Sequence, residues 1–199
     1  MRYQIFRLRD NDHPGPPALL KTIASNRALI KDRGNSIFGV FGSLLGLASN
    51  EIYLVTFGQQ QLQFQLPESI ECVTCRTFRP TVRPTEHKPA SDPGVYVFRW
   101  FSVDPTTIDE IAQLSATAWP DFESSFDTRV QGLFAEDTEA PDTMLLITWY
   151  RNLTVWEQSR HPPQTARENF LRRHKLTLSA LPVATTLLGV SGSDLVSHS

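Results

Sequence analysis

The strongest constraint on this chain is that it nearly repeats itself. "IFRLR" at 5–9 resembles "VFRWF" at 97–101, so Phe6 falls on Phe98 and Arg7 on Arg99 at an offset of 92. "GVF" at 39–41 resembles "GLF" at 132–134 at an offset of 93. "IYLVTF" at 52–57 resembles "MLLITW" at 144–149 at an offset of 92, with Thr56 on Thr148. Three matches in order at nearly one offset mark a duplicated unit. A duplicated unit must find the same fold twice.

Each copy reads strand, helix, strand, strand. In the first, residues 2–9 are β-patterned, and Leu19, Leu20, Ile23, Arg27 and Ile30 place one helix face within 16–33. Gly34 is its C-terminal stop. Two strands follow, then a loop and the strand "IECVTCRTF". In the second copy, "GVYVFRWFSV" precedes Asp104 as N-cap and Pro105 at the first helical position. Ile108, Ile111, Ala112, Ser115, Ala118 and Trp119 mark the buried face, and Pro120 predicts a break or kink. After "TMLLITWYR" come Asn152 as a cap, a short helix to Arg160, a helix near 164–178 and the strand "PVATTLLGV". The face of that last helix is expected to carry Ala166, Phe170, Leu171, His174 and Leu178.

The second copy therefore has the β-α-β-β-α-β order of a ferredoxin-like unit, and the first has the same plan with its second helix reduced. The expected domains are 1–79, a proline-rich linker at 80–94, a second unit at 95–188 and a flexible tail at 189–199. The linker carries Pro80, Pro84, Pro89 and Pro93. Both alternate sets of residues in "GVYVFRWF" and "MLLITWYR" are apolar, whereas a half-solvated antiparallel sheet alternates. The fold class is thus α+β, with two tandem ferredoxin-like units whose sheets face each other.

Composition narrows the function. The chain has 199 residues, 40% of them hydrophobic, with 19 basic and 21 acidic side chains. That balance argues against a nucleic-acid or membrane-surface partner. The start, "MRYQIFRLRD", has no apolar block of a signal peptide, so cytoplasmic residence is the expectation. Cys72 and Cys75 form a CxxC, but in a strand-like run rather than at a helix N-terminus, and no second pair exists to complete a zinc site. Strand alternation would point them to opposite faces. No metal and no cofactor are expected. "RENFLRRHK" reads as the solvated face of the last helix.

"MLLITWYRN" followed by "LTVWEQSR" resembles the aromatic strand and short Trp-x-x-Ser helix of the dimeric α+β barrel superfamily. "YVFRWF" resembles the "YELRTY"-like first strand of NIPSNAP-type proteins. The superfamily includes cofactor-free antibiotic-biosynthesis monooxygenases and haem-degrading monooxygenases. The haem-degrading mechanism, as the resemblance implies it, needs Trp156, an Asn on the first strand and a His ten positions past the Trp. Here that strand has no Asn and position 166 is Ala, so haem chemistry is not carried over.

The expected function is binding or slow transformation of a small hydrophobic or aromatic molecule in the barrel cavity. In an enzyme version, a cofactor-independent monooxygenase or isomerase, Arg99 stabilises an enolate-like anion and Tyr150 or His161 handles the proton. Trp100, Trp149, Trp156 and Arg7 are the expected ligand-binding residues. The alternative is a non-catalytic scaffold or ligand carrier. A pocket of roughly 300 Å³ or more reaching Arg99 separates the two. Ligand identity, self-association into a homo-oligomer and the sheet face that carries the cavity are left open by the sequence.

Overall fold

A computed structural model describes residues 1–63 and 65–189; the expected flexible tail lies outside them but for Gly189. The elements run β1 (Arg2–Asp10), α1 (Pro17–Asp32), β2 (Asn35–Leu45), β3 (Glu51–Gly58), β4 (Ile70–Arg83) and β5 (Val95–Val103), then α2 (Ile108–Ser125), β6 (Thr128–Glu136), β7 (Thr143–Tyr150), α3 (Leu153–Gln158), α4 (Gln164–Leu176) and β8 (Thr177–Gly189). The chain divides into two compact units. One holds Met1–Phe78, His87–Asp92 and the stretch from Thr185; the other holds Arg79–Glu86 and Pro93–Ala184.

In the first unit the sheet order is β4-β1-β3-β2. Helix α1 starts with Pro17 in its first turn and ends at Gly34, whose φ of +68° is the left-handed stop that favours glycine. It buries Leu19, Leu20, Ile23 and Ile30 against Phe6, Leu8, Ile52 and Leu54. Burying each such leucine or isoleucine stabilises the unit by about 2 kcal/mol. Between β3 and β4 the described residues form no helix. Leu62 fills the space instead, its N–H donating to Gln4 Oε1 at 2.7 Å. Part of the proline-rich segment is fixed to this unit. Ala90 N–H donates to the Phe38 carbonyl at 2.7 Å, and the Tyr3 hydroxyl is hydrogen-bonded to His87 Nδ1 at 3.0 Å.

In the second unit the order is β8-β5-β7-β6, with helices on one face. Ile111, Ala112 and Trp119 of α2 pack on Phe101, Val103, Val130 and Leu146. A neighbouring cluster joins Val95, Val97, Ala118, Phe122, Tyr150 and Ala166. The expected break at Trp119 does not occur: α2 continues through Pro120 to Ser125. Tertiary burial of Trp119 and Phe122 on either side of the proline outweighs the lost backbone hydrogen bond. Strand β8 begins at Thr177, earlier than expected, because the exposed Leu178–Pro182 stretch lacks the alternation that would reveal a strand.

Register corrects one equivalence within the repeat. Cross-strand partners share a sheet face. Phe6 opposes Leu54, whereas Arg99 opposes Leu146, and Leu54 and Leu146 are the matched positions. The counterpart of Arg99 is therefore Phe6, not Arg7. The β2 and β6 matches hold at their offset of 93: each strand carries a bulge just before its glycine, at Ile37/Gly39 and at Val130/Gly132. In both, a Cβ on the glycine would strike the ring two residues on, Phe41 or Phe134.

A bulge also changes the reading of the cysteines. Cys72 opposes Leu8 and Cys75 opposes Phe6, with a register shift between them. The extra residue returns both cysteines to the same face, where alternation alone would separate them.

Candidate functional site

Alternation on β5 and β7 decides which side chains meet. Phe101 and Leu146 face α2, so Arg99 and Thr148, two positions away on their strands, face the helices too. Tyr150 follows on the same face. Trp100 and Trp149 lie at the intervening positions. Trp149 donates its indole N–H to the Pro93 carbonyl at 3.2 Å, with the Arg129 guanidinium 5.2 Å from its ring.

A cavity of about 620 Å³ lies between this sheet face and the helices. Of the residues expected at a site, Arg99, Tyr150, His161 and Trp156 line it; Trp100, Trp149 and Arg7 do not. The sequence leaves open which sheet face carries the cavity, and this one lies on the helix-covered face of the second unit. Arg7 belongs to the first unit and is bound to the buried Glu51, Nη2 to Oε2 at 2.6 Å. That pairs a strand arginine with a strand carboxylate.

Helix α3 sets one end of the cavity. Asn152 Oδ1 accepts from Val155 N–H at 3.0 Å, which fixes the helix start. One turn on, Trp156 presents its indole, and Ser159 Oγ donates to the Trp156 carbonyl at 2.7 Å. His161, just past the helix, is exposed at the mouth. Phe122 of α2 and Phe170 of α4 meet edge to face, centroids 5.4 Å apart, and form the aromatic wall opposite the sheet.

The residue that sequence reasoning missed is Arg173. Its face on α4 is Ala166, Phe170 and Arg173, spaced four and three apart, and not the expected set with Leu171, His174 and Leu178, which are exposed. The spacing from Ala166 and Phe170 was the available signal; the run of basic neighbours hid it. Arg172 is the solvated one, 3.8 Å from Glu110. Arg173 is buried. Its Nη1 donates to Ser115 Oγ at 3.2 Å, and its guanidinium lies 5.3 Å from the Phe101 ring centre and 4.7 Å from that of Phe170. Burial first, then the Arg99 charge, pushes its pKa down to about 9. Burial likewise raises the Tyr150 phenol above its ordinary value, partly offset by Arg99, Ser159, Arg173 and Thr148. Tyr150 is thus a neutral hydrogen-bond donor at neutral pH.

No protein-family model and no curated protein matches the chain. Solved structures do. A provisionally assigned monooxygenase of Fusobacterium nucleatum is 8% identical with a TM-score of 0.62, over 96% of this chain and 94% of that one. A second, from Lactobacillus acidophilus, gives 9% and 0.60 over 94% and 92%. An anthrone oxidase-like protein gives 12% and 0.59 over 94% and 92%. These likenesses establish the fold expected from the sequence: α+β, tandem ferredoxin-like units of the dimeric α+β barrel type. No helix among the described residues is long and apolar enough to cross a membrane.

Proposed function

We propose that the chain binds a small planar aromatic molecule in the cavity of its second unit. The observation that carries this reading is a space of about 620 Å³ walled by Trp156, Phe122 and Phe170 and reached by Arg99 and Tyr150. An aromatic wall into which charged and hydroxyl side chains reach suits a small planar molecule with a polar end. A cavity of this size that reaches Arg99 favours a binding role over a pure scaffold. The NIPSNAP affinity rests on residues 96–101 alone.

An enzymatic reading is favoured by the meeting of Arg99, Tyr150 and His161 at one cavity. There the chain would assist cofactor-independent oxidation, as of an anthrone by dioxygen to the quinone and water. Arg99 would hold the enolate and His161 would take the proton. Cytoplasmic residence and self-association belong to the same reading.

The test is a thermal-shift series with anthrone and other fused-ring ketones. Binding to the folded state raises the midpoint. A rise that disappears when Trp156 is replaced by Ala supports the reading. No rise with any aromatic overturns it. Dioxygen uptake with anthrone then separates a catalyst from a carrier.

A further inference from the structure

Resting on that reading, we infer that the ligand is an aromatic anion whose planar oxyanion, a carboxylate or enolate, is held between Arg99 and Arg173.

The cavity is lined by Arg99, Arg160, Arg167, Arg173, His161 and His174, and by no aspartate or glutamate. Carboxylates are available on the surrounding elements but are turned elsewhere. Glu110 pairs with Arg172, Glu123 binds Arg83 at 2.7 Å and Glu168 accepts from Gln164 at 3.1 Å. Among the described residues, Arg99 and Arg173 have no ion pair. A buried cation without a counter-charge is costly, and a second cation beside it raises the cost. Phe101 and Phe170 offset part of it for Arg173 through their ring faces, and Ser115 accepts one N–H.

The arrangement has the parts of an oxyanion clamp. Arg99 enters from the sheet and Arg173 from α4, two planar donors matched to a planar two-oxygen group. Tyr150, kept protonated by burial, supplies a third donor. The aromatic wall of Phe170, Phe122 and Trp156 takes the body of the ligand. Exposed Arg160 and Arg167 at the mouth give the entering anion an attractive field. Among its described residues the first unit has no such clamp, because Phe6 stands where Arg99 stands in the second and packs into the core.

The test compares 2-naphthoate with its neutral methyl ester, by calorimetry or thermal shift, on the full chain and on Arg99→Gln and Arg173→Gln. The inference expects the acid to bind at least about tenfold more tightly than the ester, as charge-assisted hydrogen bonds require. It expects that preference to vanish in Arg99→Gln and to weaken as sodium chloride rises. Arg173→Gln is the more severe variant; should it not fold, Arg99→Gln, at a half-exposed strand position, still decides. Equal binding of acid and ester overturns the anion inference and leaves the aromatic site standing. Binding of neither overturns the aromatic reading itself.

Discussion

Phe6 and Arg99 occupy the same place in the two units. Each faces its helices and opposes a matched leucine, Leu54 or Leu146. In the first unit the phenylalanine joins Leu8, Ile23 and Ile52 in a closed core. In the second an arginine faces a cavity in company with another arginine. One copy has an apolar packing solution at this position, and the other places a charge there.

That exchange predicts a trade between stability and binding. Arg99→Met removes one of two mutually repelling cations and leaves an apolar side chain of similar length. We expect stability to rise by about 1 kcal/mol, seen as a gain of roughly 3 °C in Tm, while the preference for an aromatic acid is lost. A fall in Tm would mean that Arg99 has a structural duty.

The first unit contains the opposite case, a buried charge that is fully satisfied. Glu51 is inaccessible to solvent; its Oε2 accepts from Arg7 Nη2 at 2.6 Å and its Oε1 from Arg9 Nη2 at 2.7 Å. Burial alone would raise its pKa, but the Arg7 and Arg9 bonds and the Ala48 N–H bring it below the ordinary 4.5. The unfolded chain therefore takes up this proton first on acidification. The stabilisation is complete above about pH 4.5 and is lost as pH falls through the depressed folded value. Asp10, held by Asp12 and His13, acts in the same direction. Glu51→Gln should cost about 3 kcal/mol at pH 7 and much less at pH 3. Urea unfolding at the two pH values measures the difference.

How far the fold is legible in the sequence follows from which signals are local. The repeat, the helix within 16–33, the cap at Asp104, which accepts from Thr106 N–H just ahead of α2, and the stop at Gly34 were readable because each depends on near neighbours in the chain. The faces of Cys72 and Cys75, and the equivalence of Arg7 with Arg99, were misread because register is set by strand pairing, and one bulge reverses a face. Pro120 was misread because the packing of Trp119 and Phe122 overrides a local preference. Arg99, Tyr150, Trp156 and His161, named from the sequence for their chemistry, line one cavity. Arg173 was hidden by a basic run in which only helical phase separates it from the solvated Arg172.

The cysteine pair yields a prediction of inertness. Both residues reach the surface, and the structure shows both as free thiols. Desolvation, with the neighbouring Cys72 sulfur second, pushes the Cys75 thiol up to about 11. Burial and Glu71 raise Cys72 as well. At pH 8 a thiol of that pKa is about 0.1% thiolate, against roughly a quarter for a free cysteine. Reaction of Cys75 with Ellman's reagent at pH 8 should be slower than that of a small thiol by two orders of magnitude or so, accelerating with pH up to about 11. Rapid, stoichiometric labelling at pH 7 would show instead that the pair is poised for redox chemistry.

Tyr150 provides the sharpest pH test of the site. Its phenol is buried, and the raising effect of burial outweighs the lowering effects of Arg99, Ser159, Arg173 and Thr148. A phenol held above its ordinary 10 contributes stability below that pH and loses it as pH rises through the folded value. It acts as a donor, not as a base, throughout the physiological range. Tyr150→Phe keeps the ring and removes the donor, so it should weaken aromatic-acid binding by about tenfold with Tm nearly unchanged. In the wild type, affinity should stay flat from pH 7 to about 8 and then fall as Arg173 loses its charge near pH 9, a fall that the Phe variant should share. A decline centred near pH 9 that disappears in the Phe variant would mean that Tyr150 ionises in that range. Proton transfer would then have to be reassigned from His161 to the phenol.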